Sequence, residues 1–84
     1  MDLKEQFEAS IEKATRLPNQ SNETLLELYS LYKQATVGDV EGDRPSGFDF
    51  RGAAKYDTWE KRRGMSSDEA KQAYIDLVDQ RAAG

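Results

Sequence analysis

Apolar residues recur at intervals of three and four along most of the chain, the period of an α-helix with one buried face. Leu3, Phe7, Ile11, Ala14 and Leu17 open the pattern, with Asp2, Glu5 and Glu8 early and Lys13 and Arg16 late. That charge order suits the helix dipole and predicts a helix over Leu3–Leu17. Leu17-Pro18-Asn19-Gln20-Ser21-Asn22 breaks it, because a residue before proline avoids the helical region and the polar run is turn-forming. Ser21 or Asn22 can cap a second helix, with Glu23 in its first turn, which then runs to about Thr36 and stops at Gly38.

Val37 to Asp49 holds Gly38, Gly42, Pro45 and Gly47 among acidic residues and is longer than the usual link between helices. Antiparallel neighbours need only a short loop, so this length predicts an overhand connection between second and third helices that run the same way. Phe48 and Phe50, at its far end, are expected to pack on the bundle or to floor a groove, with packing as the default. A third helix is predicted over about Arg51–Arg63, with Ala53, Tyr56 and Trp59 in register and three cations before Gly64. Ser66 and Glu69 form a capping box that opens the last helix, whose expected buried stripe is Ala70, Ala73, Tyr74, Leu77 and Val78. Phe7, Ile11 and Leu17 should meet Tyr74, Leu77 and Val78 where the first and last helices join. Four amphipathic helices can bury their stripes only against one another, so the fold class is all-α, a four-helix bundle.

The chemistry concentrates in Leu25–Asp39, LLELYSLYKQATVGD. Tyr29, Tyr32 and Lys33 stand at i, i+3 and i+4 and share one helical face, while Leu28, Leu31 and Ala35 form the opposing stripe. Two phenols and an ammonium suit a ligand with an aromatic base and phosphate. On spacing alone the more common reading is core-edge tyrosines with Lys33 running past them into water.

Composition narrows the functional classes. Eighty-four residues make one domain too small for a deep enclosed site. With no cysteine and no histidine, disulfides, thiolate metal sites and the common nucleophile–base pairs are missing, and catalysis is not indicated. Twelve basic against sixteen acidic residues, a net charge of −4, oppose charge-driven binding to nucleic acid or to an anionic membrane. Arg51 to Arg63 is locally positive, with Arg51, Lys55, Lys61, Arg62 and Arg63 against Asp57 and Glu60, and such a patch can hold a compact anion or simply be a solvated face. No apolar run reaches membrane-spanning length, and the chain is expected to be soluble and cytoplasmic, without stable membrane insertion.

Tyr29 to Asp39, YSLYKQATVGD, resembles the signature of the acyl-CoA-binding protein family. Arg44-Pro45, Asp49-Phe50, Ala54-Lys55, Asp57, Trp59, Gly64, Asp68, Ala70 and Ala73-Tyr74-Ile75 follow in the family's order and spacing, so the resemblance covers essentially the whole chain. It displaces the core-edge reading of the tyrosines. The resemblance implies an up-down-down-up bundle and a monomeric carrier of long-chain acyl-CoA thioesters that forms an intracellular pool and delivers to acyl-CoA-using enzymes. It implies no enzyme activity, cofactor or metal. By position, Tyr32 would stack on adenine, Lys33 would pair with the ribose 3′-phosphate, Tyr29, Lys55 and Tyr74 would complete the phosphate surface, and Leu25 and Leu26 would lie beside the acyl chain. The alternative is a helical adaptor that takes a partner helix in the same groove.

The chain departs from the family pattern at Ala53, where many relatives carry lysine, and at Tyr56, which replaces a tryptophan. The first is expected to weaken phosphate attraction. The first helix and the turn after it align only by periodicity, with Thr15 close to a frequent lysine position, so no ligand contact is carried over from there. The chain stops a few residues short of the pattern, at Arg81-Ala82-Ala83-Gly84, and its last turn is expected to fray.

Overall fold

The computed structural model describes residues 1–83 and holds four helices, α1 (Leu3–Ala14), α2 (Asn22–Thr36), α3 (Phe50–Glu60) and α4 (Ser67–Ala83), with no strand among the described residues. Each start has a side-chain cap for the orphan amides of a first turn. Asp2 accepts from the Glu5 N–H while the Glu5 carboxylate reaches back to the Asp2 N–H. Ser21 Oγ accepts from the Thr24 N–H at 3.1 Å. Asp49 accepts from the Gly52 N–H at 2.9 Å, and a Cβ on Gly52 would run into that same carboxylate. Ser66 and Glu69 form the reciprocal box predicted for α4, with both bonds at 3.1 Å.

The helix ends differ from the sequence reading. α1 stops at Ala14 rather than Leu17, because Thr15, Arg16 and Leu17 tighten into i→i+3 turns ahead of Pro18. α3 begins one residue earlier and stops at Glu60. Arg62 and Arg63 then donate their amides to Trp59 and Glu60 in turns that end at Gly64, whose φ of +88° is glycine territory. α4 is helical through Ala83, and Gly84 lies outside the described residues.

The bundle is ordered by contact, with α2 against α4 at the centre, α1 packed on α4 and α3 packed on α2. Connection 37–49 carries the chain from α2 to α3 in the up-down-down-up order. Phe7, Leu28, Leu31, Ala35, Ala70, Tyr74, Ile75 and Val78 form the core. Phe7 meets Tyr74 edge-on, 5.2 Å between centroids, which joins α1 to α4 as expected. Leu77 is only half-buried, while Ile75, left out of the expected stripe, is in the core. The cause is the position of α4 between two helices, which buries more than one stripe.

Connection 37–49 is tied down by polar contacts instead of apolar packing. The Trp59 indole N–H donates to Gly38 O at 2.8 Å and the Tyr56 hydroxyl to Gly42 O at 3.0 Å. Arg44 grips Asp57 with two parallel bonds of 2.8 and 2.9 Å. Asp39 Oδ1 accepts from the Gln34 amide at 2.7 Å and from the Gly64 N–H at 2.9 Å, and Gln34 also donates to Met65 O at 2.9 Å. Gln34, 1% exposed, thus locks the end of α2 to both the connection and the α3–α4 turn. Of the connection's own side chains only Val40 is buried. Phe48 and Phe50 do not pack on the bundle, being 96% and 79% exposed; Phe50 instead takes the other expected place, in the lining of a groove between α2 and α3.

Candidate functional site

α2 and α3 pack along one side only, and the open side between them forms a groove of about 420 Å³. Leu25, Leu26 and Tyr29 line it from α2, and Phe50, Arg51, Ala54 and Lys55 from α3. These positions recur one turn apart on each helix, so each helix contributes a single face. The Lys55 ammonium sits 5.1 Å from the centroid of the Tyr29 ring, a cation–π contact that bridges the two walls. The groove is therefore apolar along Leu25, Leu26 and Phe50 and cationic at Arg51 and Lys55.

The other predicted residues stand apart from that lining. Tyr32 is 40% exposed, and its ring stacks on Phe7 at 6.3 Å with 25° between planes. Phe7 in turn carries Tyr74, so Tyr32, Phe7 and Tyr74 form one aromatic cluster joining α2, α1 and α4. Tyr74 is buried, and that burial pushes its phenol above the usual range, with Tyr32 adding to the rise. Lys33 turns toward α3, its ammonium 5.3 Å from the centroid of the Trp59 ring. Thus Leu25, Leu26, Tyr29 and Lys55 come together in the groove, Tyr32 and Tyr74 meet through Phe7, and Lys33 is held at Trp59.

The basic segment Arg51–Arg63 divides. Arg51 and Lys55 face the groove, whereas Arg62 donates to Ser30 Oγ at 3.1 Å and Arg63 to Val40 O at 3.4 Å. Ala53 is buried, and Tyr56 uses its hydroxyl to hold the connection. Arg51 was not singled out as a site residue from the sequence, although its i−4 relation to Lys55 carried the signal.

A larger but more open cleft of about 490 Å³ lies on another face, lined by Glu27, Leu31, Arg62, Ala73, Asp76, Leu77 and Gln80. It contains none of the predicted site residues, and its two carboxylates against one guanidinium oppose an anionic ligand. Among the described residues there is no cluster of metal-ligating side chains, and no helix is long and apolar enough to cross a membrane.

An open groove that joins an apolar stripe to a pair of cations has the chemistry to take an amphiphile. The Acyl CoA binding protein family model matches residues 4–78. The chain is 52% identical over 81 residues to an acyl-CoA-binding protein of Ricinus communis, covering 95% of this chain and 90% of that one. Its fold is similar to the crystal structure of Oryza sativa acyl-CoA-binding protein 2, with a TM-score of 0.94 and 46% identity over 98% of this chain and 92% of the other. The acyl-CoA-binding protein of Moniliophthora perniciosa is also similar, with a TM-score of 0.85 and 34% identity over 100% of this chain and 86% of the other. The chain belongs to the acyl-CoA-binding protein family.

Proposed function

We propose that the chain, as one domain over residues 1–84, binds long-chain fatty acyl-CoA thioesters without making or breaking a bond. The observation that carries this reading is the α2–α3 groove, where Leu25, Leu26 and Phe50 adjoin Arg51 and the Lys55–Tyr29 pair. In this reading the acyl tail lies along Leu25 and Leu26, and Tyr29 and Lys55 meet phosphate at the rim. Tyr32, half open above Phe7, offers a ring face to adenine. Lys33 leaves or straddles Trp59 to pair with the 3′-phosphate, and Tyr74 supports Tyr32 through Phe7 while its phenol faces the headgroup.

The cellular role follows as a carrier: a monomer in the cytoplasm that holds a pool of thioester, lowers its free concentration and releases it to acyl-CoA-using enzymes. No cofactor or metal enters this function. Family membership does not favour the helical adaptor.

A calorimetric titration with acyl-CoA of increasing length, beside free CoA and free fatty acid, tests the reading. Headgroup and tail should each contribute, so the thioester should bind more tightly than either fragment. Tight binding of a partner peptide with no response to acyl-CoA would reject the carrier in favour of the adaptor.

A further inference from the structure

One stripe of α4 has no helix packed over it. Ala73, Asp76, Leu77 and Gln80 stand at i, i+3, i+4 and i+7 and line the cleft of about 490 Å³ together with Glu27, Leu31 and Arg62. Ala73 and Leu77 stay half-buried there, although the period of α4 marks both for burial. Leu31 of α2, itself buried, adjoins them. The cleft is therefore an apolar strip held between two helices that already pack on each other.

Its rims are acidic. Glu27 on α2 and Asp76 on α4 are both exposed, and neither has an ion pair among the described residues. Asp76 accepts only from the neutral Gln72 amide, at 2.9 Å, so its charge is not offset. Arg62, the one cation in the lining, spends its Nε–H on Ser30 Oγ at 3.1 Å. Arg81 lines an adjoining cleft with Pro18 and Gln20 and weakens the negative field only at that end. An apolar strip between two unpaired carboxylates complements an occupant with the reverse order of charge: an apolar row flanked by cations.

We propose that this cleft docks a basic amphipathic helix of a partner protein. The apolar row of that helix packs on Leu31, Ala73 and Leu77, and a lysine or arginine on each flank meets Glu27 and Asp76. The cleft and the groove use different sides of α2: Leu25, Leu26 and Tyr29 line the groove, Glu27 and Leu31 the cleft. A docked partner thus leaves the groove open. The net charge of −4 favours the approach of a cationic partner. Its use, bringing a loaded chain to an acyl-CoA-using enzyme, rests on the carrier reading; the docking itself does not.

Amide NMR shifts and calorimetry of the full chain with a synthetic amphipathic helix of leucine and lysine, beside its counterpart of leucine and glutamate, test it. The lysine peptide should move the amides of Asp76, Leu77 and Gln80 and leave those of Arg51 and Lys55 in place, and the glutamate peptide should not bind. Glu27→Gln combined with Asp76→Asn should weaken the lysine peptide about three- to tenfold at low salt, since an exposed ion pair contributes up to about a factor of five. High salt should shrink that difference. Both side chains are exposed and stand outside the groove lining, so the unfolding midpoint and the affinity for acyl-CoA should hold. Removing the same charge elsewhere, by Glu8→Gln with Glu41→Gln, should leave the peptide's affinity unchanged. Equal losses in the two double variants would reduce the contact to net charge and overturn the proposal. So would no binding of the lysine peptide, or shifts centred on Arg51 and Lys55, which would put it in the α2–α3 groove. Docking as described, with no heat of acyl-CoA binding, would leave the surface standing and remove the carrier reading.

Discussion

The Lys33 ammonium stands 5.3 Å from the centroid of the Trp59 ring, and the Trp59 indole in turn holds Gly38 O at 2.8 Å. A proposed phosphate ligand thus doubles as a contact between α2 and α3. Removing it should have two effects that a measurement can separate.

Lys33→Ala should weaken an acyl-CoA that keeps its 3′-phosphate by roughly one to two powers of ten, since a charge-assisted bond to phosphate contributes about 1.5 to 3 kcal/mol. The 3′-dephospho analogue should lose little. Loss of the cation–π contact should cost only about 0.5 to 1 kcal/mol of stability, read from the denaturation midpoint. Equal affinity losses for both ligands would withdraw the phosphate role from Lys33.

Affinity should climb with acyl length and then level off. Each methylene buried fully contributes about 0.8 kcal/mol, but the groove is open along one side and about 420 Å³ in volume. The increment should therefore fall below that figure and vanish once the tail outruns Leu25, Leu26 and Phe50. A calorimetric series that shows no dependence on length would contradict a tail in this groove.

In the core, Val78→Ala should cost more than Leu77→Ala. Val78 is 0% exposed, and deleting its two methyls removes about 1.6 kcal/mol of transfer energy plus a cavity term. Leu77 lines an open cleft, where solvent can fill the space left behind. Urea midpoints for the two variants decide the order, and the reverse ranking would place the α4 phase wrongly.

Acid should loosen the connection. The Gly64 N–H and the Gln34 amide hold the Asp39 carboxyl below the usual aspartate range, and Arg44 does the same to Asp57. A pKa depressed in the folded state contributes stability that is present above the unfolded value, near pH 4, and is lost as pH falls through the folded value. The urea midpoint should therefore decline as pH is lowered from about 5 toward 2. Asp39→Asn keeps an oxygen for both donors yet cannot titrate, so it should flatten part of that decline; an unchanged slope would show that Asp39 does not contribute.

Much of this architecture could be read from local signals. Ser21, Ser66 and Glu69 cap where their spacing predicted, and Leu28, Leu31 and Ala35 are buried as the period of α2 required. What failed depends on which element lies next to which. α4 is flanked on both sides: Ile75 lies beside Ser10 and Lys13 of α1, and Leu77 beside Leu31 of α2. A single-stripe reading could not assign both. For Phe48 and Phe50 packing was the default over a place in a groove, but hydrophobicity sets what interiors contain and does not forbid an exposed ring; Phe50 lines the groove and Phe48 stands in water. At the site, the spacing of Tyr29, Tyr32 and Lys33 showed one helical face. That Lys55 crosses to Tyr29 while Lys33 crosses to Trp59 follows from how α3 lies on α2, which no one-dimensional period encodes.

The packing order has a consequence for how the chain reaches this shape. α1 leaves the ribosome before the other three helices, yet its close helical neighbour is α4, and the Lys13–Asp79 pair at 2.8 Å spans 66 residues. Until α4 emerges, Phe7 has no Tyr74 to meet, and a helix as short as α1 is marginal alone in water. We expect its docking to wait for a long loop closure, making folding slower than in bundles whose neighbours adjoin in sequence. Phe7→Leu would then report in the refolding rate if that closure is the barrier, and in the unfolding rate alone if α1 docks after it.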